Sequence, residues 1–266
     1  KKAQDQLKVY RQAVLKKAFD GNLTMKWRQS NNFNERWKKV KFNELIIESR
    51  NGFTGRPNND KIGNPRIGIT AITQSQSIKV NVLDHKHIVI PEKKINSYLI
   101  LEKDLMVCRQ NGNKHFVGKF GVVDNTLSGL IFSDSIIRVR IDYEKIIPRY
   151  AAYYCNGFIR KEIEEKCSTT AGNFSINSSS IKSLEVSYPI IEEQQQIVRE
   201  IESRLSVCNK VEESITESLD KARALRQSIL KKAFEGKLLT EQELLNCKNE
   251  ADYEPASVLL ERIKNN

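Results

Sequence analysis

The sequence predicts an α+β fold: one mixed, curled-sheet domain flanked by a long coiled-coil helix. Three observations predict it. Glu192 to Ala233 contains no Pro or Gly and spaces its apolar residues by threes and fours; Phe33 to Pro189 carries short β-like runs broken by Gly, Asn and Pro; and one thirteen-residue motif occurs on each side of those runs. With 266 residues, 39% of them hydrophobic and 29% charged, and a mean hydropathy of −0.51, the chain can bury one sizeable core with little left over.

Residues 1–30 read as the end of a helix. The motif Arg11-Gln12-Ala13-Val14-Leu15-Lys16-Lys17-Ala18-Phe19-Asp20-Gly21-Asn22-Leu23 recurs 215 residues later, as Arg226 to Leu238, with nine of thirteen positions identical. Two unrelated amphipathic helices do not share so much, so the same helix end is used twice, bracketing a module. Gly21 and Gly236 suit the left-handed position that stops a helix, and Lys16-Lys17 and Lys231-Lys232 suit the negative end of its dipole.

Residues 31–190 form the bracketed module. Its half-buried strands are expected at Arg66–Thr70, Ser77–Val82, His87–Ile90 and Ile136–Ile141, and an amphipathic helix from Pro148 to Lys166 carries Tyr150, Tyr153, Tyr154, Phe158 and Ile163. No regular alternation of strand and helix appears, which argues against a doubly wound sheet.

Residues 191–238 form the long helix, started by Pro189 and stopped by Gly236; about 42 residues at 1.5 Å each make a rod of about 63 Å. Its seam, with Ile197, Ile201, Leu205, Ile215, Leu219 and Ile229, needs a covering. No other segment of that length is present, so the expected cover is a partner chain or a missing part of this one. Residues 239–266 are read as a tail with one short helix.

The net charge is +11 and is unevenly spread: residues 191–266 carry −3 and residues 1–190 carry +14. A basic body suggests a polyanionic partner, double-stranded DNA among the candidates, or simply a solubilising surface. Five cysteines without CxxC spacing argue against a disulfide framework and a zinc ribbon, and are expected to be reduced thiols. No apolar run nears the roughly 20 residues of a membrane span, and the opening lacks a signal-peptide core, so a cytoplasmic protein is expected. The first residue is not Met, as in a fragment or a processed chain.

Taken in order, several segments resemble the specificity subunit of type I restriction–modification enzymes, in its C-terminal half. They are Trp37 with Val40 and Leu45 before Gly52; Leu101 to Arg109 followed by Gly112; Pro148-Arg149-Tyr150-Ala151-Ala152-Tyr153-Tyr154; Pro189 to Val198; Ala233 to Leu238; and Glu254 to Ile263. The resemblance implies a target recognition domain that reads one half of a bipartite DNA sequence. It also implies a helix that pairs antiparallel with another to fix the distance between two such domains. Methyltransferase and restriction subunits are the implied partners, with S-adenosylmethionine, ATP and Mg²⁺ on those partners and no cofactor in this chain. Family members usually carry two recognition domains and one is visible here, which fits a fragment or a half-length subunit that forms a homodimer.

The residues themselves offer no catalytic centre. An adenine methyltransferase needs an Asn/Asp-Pro-Pro-aromatic clamp, and none is present; Gly112 to Phe120 has the wrong glycine spacing for a phosphate loop and no Ser/Thr after Lys119. Asp84 with Glu92-Lys93-Lys94 is a surface turn rather than a nuclease triad, and His85 with His87 an exposed pair rather than metal ligands. What remains is DNA contact. Arg109, Asn111, Asn113, Lys114, His115 and Lys119 lie in and after a Gly-containing loop that offers amides and cations of the types that read adenine and guanine edges. Arg50, Arg56, Lys61 and Arg66 supply further cationic loops, and Thr169 and Asn173 a polar one. The chain is therefore expected to be a non-enzymatic DNA-recognition subunit. The alternatives are the recognition end of a fused DNA methyltransferase and restriction enzyme, or a coiled-coil scaffold.

Overall fold

The computed structural model describes residues 2–33, 35–73, 78–81, 86–170 and 172–265. Ser77, Val82, Asp84 and His85, and with them parts of the expected strand, triad and histidine pair, lie outside the described residues. The chain divides after Cys208 into two compact units, Lys1–Cys208 and Asn209–Asn266.

The first unit opens with α1 (Lys2–Phe19) and α2 (Met25–Ser30). There follow β1 (Lys38–Lys41), β2 (Ile46–Asn51), β3 (Asn64–Ile67), α3 (Thr70–Thr73), β4 (Lys86–Ile88) and α4 (Glu92–Tyr98). Next come β5 (Leu105–Cys108), β6 (Gln110–Asn111), β7 (Phe120–Val122), β8 (Ile131–Phe132) and β9 (Ile136–Ile141). Helices α5 (Pro148–Tyr153) and α6 (Arg160–Glu165), hairpin β10 (Ser168–Thr170) and β11 (Asn173–Ser175), α7 (Ser178–Lys182) and β12 (Glu185–Tyr188) close the module. Helix α8 (Ile191–Phe234) begins in the first unit and ends in the second, which also holds α9 (Glu241–Lys248) and α10 (Ala256–Lys264). The architecture is α+β, with small sheets and a long helix.

The strands form four short sheets, in the orders β2-β9-β5-β7, β4-β3-β8, β10-β11-β6 and β1-β12. All pairings are antiparallel except β3 with β8. The first sheet is central and is covered on both sides. Leu105, Val107, Ile137, Val139 and Ile141 face the main core with α5 and the start of α8, while Met106 and Ile136 face a second core beside β3 and α3. The half-buried expectation for Ile136–Ile141 is thus corrected: Arg138 sits inside, 1% exposed. It is tolerated there because its guanidinium meets Glu48 Oε1 at 2.5 Å and the Leu99 carbonyl at 2.6 Å. Arg140 adds bonds to Asp104 at 2.8 Å and to Glu48 at 3.0 Å, so the buried charges are matched. The expected run Arg66–Thr70 ends earlier as a strand, because Thr70 already opens α3.

The helix expected from Pro148 to Lys166 is broken by a π turn at Tyr154–Phe158. Pro148 stands at its first position, where the missing N–H costs nothing. On the π turn, Asn156 Oδ1 accepts from the Phe120 N–H at 2.8 Å and its Nδ2 donates to the Phe120 carbonyl at 2.7 Å, so a side chain pairs the edge of β7 as a strand would.

Both repeat copies end as the sequence predicts, with Gly21 at φ +73° and Gly236 at φ +67°. Their surroundings differ. Ala18 and Phe19 are buried, Phe19 lying edge-on to Tyr150 and Tyr154 at 5.4 and 5.1 Å between centroids, whereas Phe234 is 89% exposed. The coiled-coil assignment needs correcting at the other end of α8. Ile197 and Ile201 belong to the main core and Leu205 packs against it. Gln194 helps to hold this end in place: its amide donates to the Lys145 and Pro189 carbonyls and accepts from the Ile147 N–H, all at 2.8 Å. Farther along, Ile215 is half-buried, and Leu219 and Ile229 are exposed. The tail holds two short helices instead of one. Thr240 starts the first through a reciprocal cap with Glu243, a signal the spacing Thr-x-x-Glu already carries.

Candidate nucleic-acid interface

The loop after β5 and the hairpin 168–175 are far apart in sequence and adjacent in space. Strand β6 pairs with β11, Asn111 opposite Phe174 and Gln110 opposite Ser175, and β11 pairs with β10. Asn111, Asn113, Lys114, His115, Thr169 and Asn173 are thereby carried by one three-stranded sheet and its loops. Two asparagines shape the loop by accepting from backbone: Asn111 Oδ1 takes the Asn113 N–H at 2.8 Å and Asn113 Oδ1 the His115 N–H at 3.0 Å. His115 is largely exposed, and its Nδ1 lies 3.2 Å from Glu164. Thr169 and Asn173 are exposed and Lys114 is half-buried.

Two candidates of the same stretch are turned inward. The Arg109 guanidinium donates to the Asp134 carbonyl at 3.0 Å, and Lys119 is half-buried with Nζ 3.5 Å from the Thr73 carbonyl. Burial holds the Lys119 ammonium below its ordinary pKa, against the opposing pull of Cys108. Neither side chain extends into solvent as a loop-tip cation would. Cys108 itself is a buried thiol, its pKa pushed up to about 12 by desolvation.

The second set of cations is reached through the turn between β8 and β9. Ser133 bridges to Phe53, and its N–H donates to the Ile67 carbonyl; at Gly52 a Cβ would stand 2.1 Å from the Ser133 carbonyl oxygen, so only glycine fits that crossing. Arg50 leaves β2 there, its guanidinium 5.5 Å over the Tyr98 ring and its Nε 3.3 Å from Glu48. Arg56 and Lys61 are exposed. Arg66 donates to the Gly55 carbonyl at 3.2 Å, and burial lowers its pKa against the pull of Asp134. Lys86 stands opposite Arg66 in the β3–β4 ladder. The next turn residues, Asp134 and Ser135, bond Arg109 and Gln110, so this turn contacts the segments that carry both sets.

Sequence reasoning missed Lys86, Tyr98, Arg160 and Glu164. The last two were legible only as an i,i+4 pair on α6; their contacts with the 113–117 loop cross more than 40 residues. Among the described residues no group of His, Cys, Asp and Glu gathers as a metal site would, and no helix is long and apolar enough to cross a membrane.

The sequence profile of the family described as type I restriction modification DNA specificity domain matches residues 34–221. The chain belongs to that family. As a specificity-domain protein it has relatives in the type I restriction enzyme EcoKI specificity subunit of Escherichia coli (strain K12), 30% identical over 97% of this chain and 55% of that protein. The StySPI specificity subunit of Salmonella potsdam is 32% identical, again over 97% of this chain and 55% of that protein. The chain spans about half the length of these relatives. Among solved structures, the HsdS subunit from Thermoanaerobacter tengcongensis matches with a TM-score of 0.58 at 17% identity, over 89% of this chain and 53% of that one, and so shares the specificity-domain fold.

Proposed function

We propose that this specificity-domain chain is a non-catalytic DNA-recognition element that reads one half of a bipartite target. The observation that carries the reading is the joining of β6 to the β10–β11 hairpin. It brings Asn111, Asn113, Lys114 and His115 beside Thr169 and Asn173, with the cations at Arg50, Arg56, Lys61 and Arg66 reached across the Ser133–Ser135 turn. Exposed amides suit base edges and exposed cations suit phosphates. In this reading residues 1–30 end one spacer helix, 31–190 are the recognition domain, 191–238 the second spacer helix and 239–266 the tail. The family supports methyltransferase and restriction subunits as partners in the cytoplasm, with S-adenosylmethionine, ATP and Mg²⁺ bound by them. A second module, in a longer chain or in a second copy of this one, would supply the other half-site and cover the exposed part of α8.

The test is selection from a randomised duplex pool followed by titration at several salt concentrations. The wild-type chain is expected to enrich one sequence. Thr169→Ala with Asn173→Ala should cost about 1–3 kcal/mol of discrimination for each base that the variant no longer reads. Arg56→Ala and Lys61→Ala should instead weaken all duplexes and reduce the salt slope by about one each. A wild-type chain that enriches nothing, or whose binding ignores salt, would refute the proposal.

A further inference from the structure

The segment from Lys114 to Gly118 takes its shape from α6. Arg160, in the first turn of that helix, donates through Nη2 to the carbonyls of Val117 at 2.6 Å, His115 at 3.0 Å and Lys114 at 3.4 Å. Its Nε meets Glu164 Oε1 at 3.0 Å, and the same carboxylate oxygen lies 3.2 Å from His115 Nδ1. Burial pushes the Glu164 carboxyl up, but the bonds from His115 and Arg160 outweigh it and hold it below the ordinary value, in keeping with a charged acceptor. The Arg160 side chain is 18% exposed, so it serves the inside of the loop and not its surface. Gly118 confirms how closely loop and helix meet: its φ is +73°, and a Cβ there would stand 2.3 Å from Ile163 Cγ2.

We propose that Arg160 is the positioning residue for sequence reading. It rests on the DNA-reading function of this face: Arg160 touches no base, and it fixes the backbone that presents Lys114 and His115. Three carbonyls gathered on one guanidinium nitrogen lose their common donor when the side chain changes, and a lysine offers a compact point charge in place of the planar fork. Attraction to phosphates depends on charge, whereas base reading depends on donor and acceptor geometry. Arg160→Lys keeps the charge and removes the fork, and therefore separates the two.

The experiment uses the whole 266-residue chain. Wild type and Arg160→Lys are titrated with the duplex that wild type selects from a randomised pool and with the unselected pool, and amide exchange is followed in both proteins. The variant should keep its affinity for the unselected pool and its salt slope, while its preference for the selected duplex falls about tenfold, the worth of one well-placed base pairing. Exchange should quicken at His115 to Gly118 and stay unchanged at Met106 and Val139 in the central sheet. If Met106 and Val139 also lose protection, the variant has unfolded and Glu164→Ala decides; it releases Arg160 Nε and His115 and should lower the preference about threefold by weakening the same bonds. An unchanged preference in the folded variant, or in Glu164→Ala where that decides, overturns the role of Arg160. So does loss of affinity for both duplexes alike. A wild type that selects no sequence instead overturns the DNA-reading function on which the role depends.

Discussion

Arg138 heads the largest wholly enclosed side chains of the described residues, in a strand otherwise made of Ile and Val apart from Arg140. Its place follows from β-strand alternation: residue 138 must face the same side as Ile136, and Glu48, Asp104, the Leu99 carbonyl and the Phe132 ring make that side habitable for a cation. Arg138→Leu is expected to cost about 1–3 kcal/mol, because it takes one of two guanidiniums from Glu48 and the Leu99 carbonyl and leaves Arg140 as their remaining donor. Adding Glu48→Leu should recover part of the loss, and a double-mutant cycle by urea unfolding measures the coupling. Glu48 also predicts a pH dependence. Burial alone would raise its carboxyl, but Arg138, Arg50 and Arg140 outweigh burial and hold the pKa below its ordinary 4.5. A carboxyl depressed in the folded state contributes stability above its unfolded pKa, and that contribution is lost as pH falls through the folded value. Unfolding midpoints measured from neutral pH downward should therefore fall in acid, and fall less steeply in Glu48→Gln.

At the scale of elements, the two copies of the repeat provide a controlled comparison. The sequences agree and the environments do not: Phe19 is enclosed by Tyr150, Tyr154 and Phe158, and Phe234 is exposed. Phe19→Ala should cost about 3–5 kcal/mol, as truncation of a buried aromatic does. Phe234→Ala should stay within about 0.5 kcal/mol when both substitutions are compared in a monomeric background such as Leu219→Glu with Ile229→Glu. Thermal unfolding by circular dichroism reports the helices of both units, and Trp27 and Trp37 fluorescence reports the first alone. Equal losses from both substitutions would mean that the second copy has a docking site within this chain.

At the scale of the whole molecule, exposed apolar side chains occur in both units, Val9, Ile47 and Val89 among those of the first, but they are densest in α8 beyond Lys210 and in the tail. Val211, Leu219, Leu225, Ile229 and Phe234 are exposed, as are Val258, Leu259 and Ile263 on α10. Each is worth roughly 1.5–3 kcal/mol when buried, which favours association. The chain should sediment as a dimer or larger species at micromolar concentration, and Leu219→Glu with Ile229→Glu should leave a folded monomer. Ile201→Glu would unfold the module instead, since Ile201 is core. The proposed spacer role predicts that seven residues inserted after Lys210, which keep the seam in phase, lengthen the helix by about 10 Å. The preferred spacing of half-sites should grow by up to about 3 base pairs at unchanged half-site sequence, read by mapping modified sites in cells with the cognate methyltransferase.

The long helix was legible in its unbroken step pattern, the two glycine stops in the repeat, and strand β9 in its β-branched run. These are local or periodic signals, complete within a few turns of chain. The sequence also named most of the polar loops of the candidate face, because Gly, Asn and cations mark loops whatever surrounds them. The tertiary packing made Ile197 and Ile201 core and left Ile229 exposed, since identical periodicity serves either cover. It alone turned Arg109 and Lys119 inward, buried Arg138, and seated one copy of the repeat while leaving the other exposed. Each of those outcomes depends on a partner more than twenty residues away, and a charge or an apolar stripe carries no record of what will come to meet it.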